Sequence, residues 1–175
     1  MSTQAETSTE WAATGRRGAT FGWSLGMVLR HWHECVEEVL HHIPHGSRGY
    51  HLLSVVVHEE VPTQAVLAGR LVIDRSVLTY VIDDLEAASL IERRRDPRDR
   101  RAHRIVATEQ GRQALLDAER QVGHAQDQVL RGLPAQQRAA FCATVEQAAE
   151  AIMMTAPDTD PCAAVDGVLA QPESR

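Results

Sequence analysis

The sequence predicts a mainly helical fold interrupted by one β-hairpin. Apolar residues return every three or four positions through long stretches, the spacing that keeps one face of an α-helix apolar. Two short strand-like segments, Leu90 to Arg94 and His103 to Ala107, interrupt that pattern, and Arg-rich sequence joins them. From Arg93 to Arg104 there are seven Arg against two Asp, a local charge of +5, in a chain whose net charge is −6, so that all the other residues sum to −11. Charge polarised in this way suits a protein that meets a polyanion through one small element while the rest of its surface is repelled, and the inferred partner is DNA.

Taking the elements in order, residues 1–19 are polar with little to bury and read as a disordered segment. Phe21, Leu25, Val28, Trp32, Cys35, Val39 and Ile43 then form one stripe of a long helix ending before Pro44. Such a stripe needs a partner. Tyr50 to Glu59 gives a shorter helix, and Pro62 with Thr63 starts the next, to about Leu71. Asp74 caps a helix from Arg75 to Ala87 whose apolar positions Val77, Leu78, Val81, Ile82 and Leu85 leave Arg75, Ser76, Thr79, Tyr80 and Asp83 outward. After the hairpin, Thr108 caps a helix reaching about Arg131, with Leu115, Ala118, Val122, Ala125 and Val129 on one face, and Pro134 opens a last helix to about Thr155. Pro157, Pro161, Gly167 and Pro172 mark a flexible tail over 156–175, with a possible helical turn near Ala163.

Helix, turn, outward-polar helix and basic hairpin make the plan of a winged helix-turn-helix, in which the second helix enters the major groove and the Arg-rich tip reaches the minor groove or the backbone. Asp99, two residues before Arg101, is placed to fix the guanidinium's direction before docking. The stretch Thr63 to Gly111 carries Ala65 to Ala68 with A-x-L-A-type spacing, D-R-S-V-L-T at Asp74 to Thr79, L-I-E-R-R at Leu90 to Arg94, D-x-R-D-R-R at Asp96 to Arg101 and A-T-E-Q-G at Ala107 to Gly111. These motifs resemble the MarR family of bacterial transcription regulators, the wing motif with its T-E-x-G being the specific part, and the resemblance extends over roughly residues 20–155.

The resemblance implies a homodimer in which a helix over 20–46 and the helices over 111–155 interlock, carrying a winged DNA-binding domain over 47–110. It implies a repressor that binds a near-palindromic operator and is released by a small ligand. By the same analogy Ser76, Thr79 and Tyr80 make base and phosphate contacts, Gln64 and Arg75 support them, and Arg101, oriented by Asp99, enters the minor groove beside Arg95, Arg98, Arg100 and Arg104. The chain departs from the family pattern in holding Tyr80, Asp84 and Ala88 where basic residues are usual and Ser89 where Gly is usual. The presumptive recognition helix, from Asp74 to Glu86, carries one Arg against Asp74, Asp83, Asp84 and Glu86. If these acids face DNA, the wing must supply most of the attraction.

Other features carry less. All 18 basic residues are Arg, which a GC-rich coding bias explains better than nucleic-acid binding does. Seven of nine His lie between 31 and 58, and His31, Glu34, Glu38 and His41 or His42 share a helical face that could hold zinc, although a solvated polar face is the preferred reading. A zinc-responsive regulator is thus one alternative, and a ligand-binding protein of this fold without DNA readout is another. Cys35 reads as a small core residue rather than a redox sensor, and Cys142 and Cys162 complete an odd set with no paired spacing, arguing against a disulfide framework. Trp23, Arg30, Trp32 and His51 could line an effector cleft, or could equally be core and interface residues. No catalytic constellation or phosphate loop stands at a recognisable spacing, so neither an enzyme nor a cofactor is expected. No apolar run approaches the ~20 residues that cross a bilayer, so a cytoplasmic protein without membrane contact is expected.

Overall fold

The structure, a computed structural model, describes residues 17–59, 63–96, 103–157, 160, 162, 163, 165 and 167, with side chains from Thr20 onward. Its elements are α1 (Arg17–Leu40), α2 (Gly46–His58), α3 (Gln64–Leu71), α4 (Arg75–Ala87), β1 (Ile91–Arg95), β2 (His103–Ala107), α5 (Glu109–Val129) and α6 (Ala135–Thr155). The fold is mainly helical with one two-stranded antiparallel sheet, as the periodicity predicts. No described helix is long and apolar enough to cross a membrane.

Three of the helices start on side-chain caps legible in the sequence. Thr63 Oγ1 accepts from Val66 N at 3.4 Å, Asp74 Oδ1 from Ser76 N at 2.8 Å, and Thr108 Oγ1 from Gly111 N at 2.9 Å. Each satisfies one of the backbone donors that a helix leaves unpaired in its first turn. The start of α2 is different. It lies at Gly46 rather than Tyr50, and the acceptor for Ser47 N is the Glu37 carboxylate of α1, at 3.3 Å. A cap supplied from ten residues away leaves no local signal.

The first helix also ends earlier than its stripe suggests, at Leu40. Pro44 disfavours helical geometry at the residue before it, and the chain turns through Ile43 N to Leu40 O, 2.9 Å, to a left-handed His45. At the other end helical residues begin at Arg17, inside the segment expected to be disordered; residues 1–16 lie outside the described ones. Within α1 the buried positions are Val36 and Leu40, joined by Ile43 from the turn, while Cys35 and Val39 are only partly covered. Phe21 is 70% exposed and Leu25 46%. Although α5 packs against α1, the leading apolar face of α1 is not covered by the described residues. Helix α6 has no buried residue at all among those described, and exposes Phe141, Val145 and Ile152.

The core lies where α2, α4, α5 and the hairpin meet. Leu52, Leu53, Leu78, Ile82, Leu85 and Ile105 are wholly inaccessible. In the hairpin Ile91 pairs with Ala107, Arg93 with Ile105 and Arg95 with His103, and the alternation places Ile91, Ile105 and Ala107 inward. Thr63 adds a single bridge to Arg104 on the other side of β2. The first strand is set one residue later than expected because Leu90 N–H donates to Leu85 O at 2.9 Å, closing α4, while the Leu90 carbonyl accepts from Thr108 N at 3.1 Å as the first bond of the ladder. The same carbonyl lies 1.9 Å from where a Cβ on Gly111 would stand. Only glycine lets α5 approach the wing base so closely, which is the physical content of the T-E-Q-G sequence. Ser89 stands in the left-handed region at φ 59°, where glycine would be unstrained.

Candidate nucleic-acid interface

Helix α4 presents a polar surface outside the core. Leu78, Val81, Ile82 and Leu85 are buried, while Arg75, Ser76 and Tyr80 are exposed, Tyr80 at 68%. Thr79 is half-buried and already engaged. Its hydroxyl donates to Arg75 O at 2.8 Å and accepts from Gln64 Nε2 at 2.9 Å, so that Gln64 ties α3 to α4 across the turn. One lone pair of Thr79 is left for an outside donor. Val77, expected on the apolar side, lies instead on the outward one at 36% exposure, and Val66 of α3 is 50% exposed. Both positions escape a reading that assigns every apolar residue to the core. Val77 sits one residue off the 78, 81, 82, 85 stripe, and that offset is the signal that marks it.

The acids of α4 are all held by the protein. Asp74 caps the helix, and its carboxyl is kept below its ordinary value chiefly by the hydrogen bond from Ser76. Asp83 and Glu86 both grip the guanidinium of Arg93, and Glu86 Oε1 also accepts from Arg93 N at 3.0 Å. Burial pulls the Arg93 pKa down, but the hydrogen bonds and charges of these two carboxylates outweigh it and hold it above the usual value. Asp84 accepts from His45 Nε2 at 2.8 Å. With the Arg93 guanidinium between them, Asp83 and Glu86 present much less negative potential to an approaching phosphate.

In the wing Arg104 is a strut. Its Nε donates to Asp96 Oδ2 at 2.7 Å and Nη2 to Asp96 Oδ1 at 3.2 Å, a two-pronged pair in which Asp96 is the one buried charged residue among those described. Arg94 is bound to Glu92, whereas Arg75 and Arg95 are exposed and form no ion pair among the described residues. Arg98, Asp99, Arg100 and Arg101 lie outside the described residues. The expected orientation of Arg101 by Asp99 lies outside them too.

A cleft of about 580 Å³ opens between α1, α2 and the α3–α4 turn. Trp32, His33, His51, Arg48 and Arg70 are among its lining residues. Two of the four residues expected there, Trp32 and His51, do line it, but Trp23 and Arg30 do not. Both are exposed, off the 29, 32, 33, 36 row of α1 that faces the cleft. His51 shows an edge to solvent, yet enough protein surrounds its ring that burial lowers its pKa from the ordinary 6.5.

The candidate zinc set does not come together. The His41 ring is hydrogen-bonded to Glu38 O at 2.7 Å, His31 lies 3.8 Å from Glu34, and His42 is exposed. Among the described residues no group of three His, Cys, Asp or Glu is placed to hold a metal. Cys35 is half-buried, 4.0 Å from the His31 ring.

Residues 48–103 match the model of the MarR family. The match takes in most of α2, all of α3, α4 and β1, and the start of β2 of this chain. Its fold is that of the MarR regulators of known structure. A MarR transcriptional regulator from Methanosarcina mazei Go1 aligns over 78% of this chain and 99% of its own with a TM-score of 0.67 and 20% identity. CouR from Rhodococcus jostii RHA1, solved bound to p-coumaroyl-CoA, aligns over 83% and 95% with a TM-score of 0.60 and 28% identity. A mutant MarR from E. coli, solved in complex with operator DNA, aligns over 77% and 97% with a TM-score of 0.62 and 19% identity. No curated protein sequence matches the chain. In the winged helix-turn-helix fold that this chain shares with them, α4 stands in the place of the recognition helix and the hairpin in that of the wing.

Proposed function

We propose that this MarR-family regulator represses transcription by binding a near-palindromic operator as a homodimer. The observation that carries the reading is the recognition helix itself. Its four acids are engaged by Ser76, Arg93 and His45, and Arg75, Ser76 and Tyr80 remain exposed. Ser76 and Tyr80 are suited to hydrogen bonds with base edges or phosphates, and Val77 to contact with a thymine methyl. Gln64 and Thr79 hold the helix in place from the side of α3. The wing contributes Arg95, Arg98, Arg100 and Arg101 to the backbone and minor groove, with Asp99 orienting Arg101, and Arg104 acts through its pair with Asp96.

The apolar faces of α1 and α6 support a dimer, since Phe21, Trp23, Phe141 and Ile152 are exposed and not covered by the described residues. Two-fold symmetry places the half-sites about one helical turn apart, ~34 Å. The cleft suits an effector with an aromatic part for Trp32 and an acidic part for Arg48 or Arg70, and its volume lies within the ~300–1,000 Å³ of small-molecule sites. Ligand binding shifts the dimer toward a state whose recognition helices no longer fit the half-sites. Selection of bound fragments from sheared genomic DNA tests the reading. Recovery of one near-palindromic site supports it, and fragments without common sequence contradict it.

A further inference from the structure

The cleft already holds part of this chain. Asp160, five residues beyond the end of α6, places its Oδ2 3.5 Å from Arg48 Nη2, and the two side chains are only 21% and 23% exposed. The other carboxylate oxygen accepts from Cys162 N at 2.9 Å and Ala163 N at 3.2 Å. One residue thus caps a helical turn and anchors it to α2. Cys162 and Val165 then line the cleft together with Trp32, Val55 and Met153. A carboxylate followed by apolar side chains matches an arginine set beside an apolar wall.

We propose that the C-terminal segment bearing Asp160, Cys162 and Val165 is an internal ligand of the cleft, so that an external carboxylate binds only by displacing Asp160 from Arg48. Tethering gives the segment a high effective concentration, and a weak contact suffices to keep the cleft filled. Arg48 belongs to the winged module and Asp160 follows the last helix, so displacement also frees that module from the end of α6. The docking stands on the geometry alone, whereas its regulatory consequence rests on the cleft being the effector site.

The test uses the full chain with Cys35→Ser and Cys142→Ser, which leaves Cys162 as the sole thiol. Arg48→Met and Asp160→Asn each speed the reaction of Cys162 with N-ethylmaleimide by about fivefold or more, and the double variant reacts no faster than the single ones. Asn at 160 retains the cap, so the turn itself is preserved. Equal rates in all four proteins overturn the docking. A second readout keeps all three cysteines. With Trp11→Phe and Trp23→Phe, acrylamide quenching of Trp32 rises on Asp160→Asn, and unchanged quenching likewise overturns the docking. Neither measurement needs an effector. Thiol protection therefore supports the docking even where benzoate, used as an aromatic carboxylate probe, leaves DNA affinity unchanged and so contradicts the effector reading.

Discussion

Single residues set the geometry of the winged module. Gly111→Ala drives a methyl group into the Leu90 carbonyl, a backbone atom that can yield only by moving the wing base. The expected cost is about 2–3 kcal/mol, the range of overpacking at a buried site, measured by urea denaturation. A loss below ~0.5 kcal/mol shows that the approach relaxes freely. Asp74 gives a pH signature. Its folded pKa is depressed, so its contribution is present above the ordinary value of 3.8 and is lost as pH falls through the lower folded value. Asp74→Asn keeps the cap but removes that charge, so stability at pH 7 is nearly unchanged while its decline below pH 4 becomes shallower. Parallel stability curves for the two proteins from pH 6 to 3 contradict this. Both residues are conspicuous in the sequence, as a cap before an amphipathic run and as the glycine of T-E-Q-G. The buried contact that requires the glycine is not, because the Leu90 carbonyl is 21 positions away in the chain.

Between elements, the decisive contact joins the recognition helix to the first strand of its wing. Composition alone shows α4 as acidic and leaves open which way its carboxylates face. Arg93, counted in the sequence as one more basic wing residue, is drawn inward by Asp83 and Glu86 and neutralises them. Arg93→Met should therefore weaken DNA binding although Arg93 itself is turned away from the groove, and adding Asp83→Asn with Glu86→Gln should restore most of the loss. Polarisation titrations of the selected site check this. Failure of the triple variant to recover shows that Arg93 acts on DNA directly. The strands to within one residue, the caps of α3, α4 and α5, and the core face of α4 apart from Val77 are legible from local pattern. The start of α2 and the exposed half of α1 are not, since the first depends on Glu37 and the second has no cover among the described residues.

As a whole, the molecule joins an acidic body to a basic hairpin segment. In the proposed reading the total charge of −6 resists unspecific attachment to DNA, and local Arg residues overcome that repulsion only where the winged module fits. With one Arg in the proposed recognition helix, the wing is then expected to carry most of the electrostatic attraction. Arg101→Ala is expected to weaken binding much more than Arg75→Ala and to reduce the salt slope by about one unit, the loss of roughly one phosphate-equivalent contact. Light scattering of the free protein checks the proposed dimer through the exposed faces of α1 and α6, and a monomer at micromolar concentration contradicts it. The most direct test of the central claim is titration of the best selected genomic site with the unmodified protein at several salt concentrations, with stoichiometry measured at saturation. The expected result is two chains per near-palindromic site and affinity that falls steeply with salt. Affinity insensitive to salt, or binding that scrambling one half-site leaves unchanged, contradicts it.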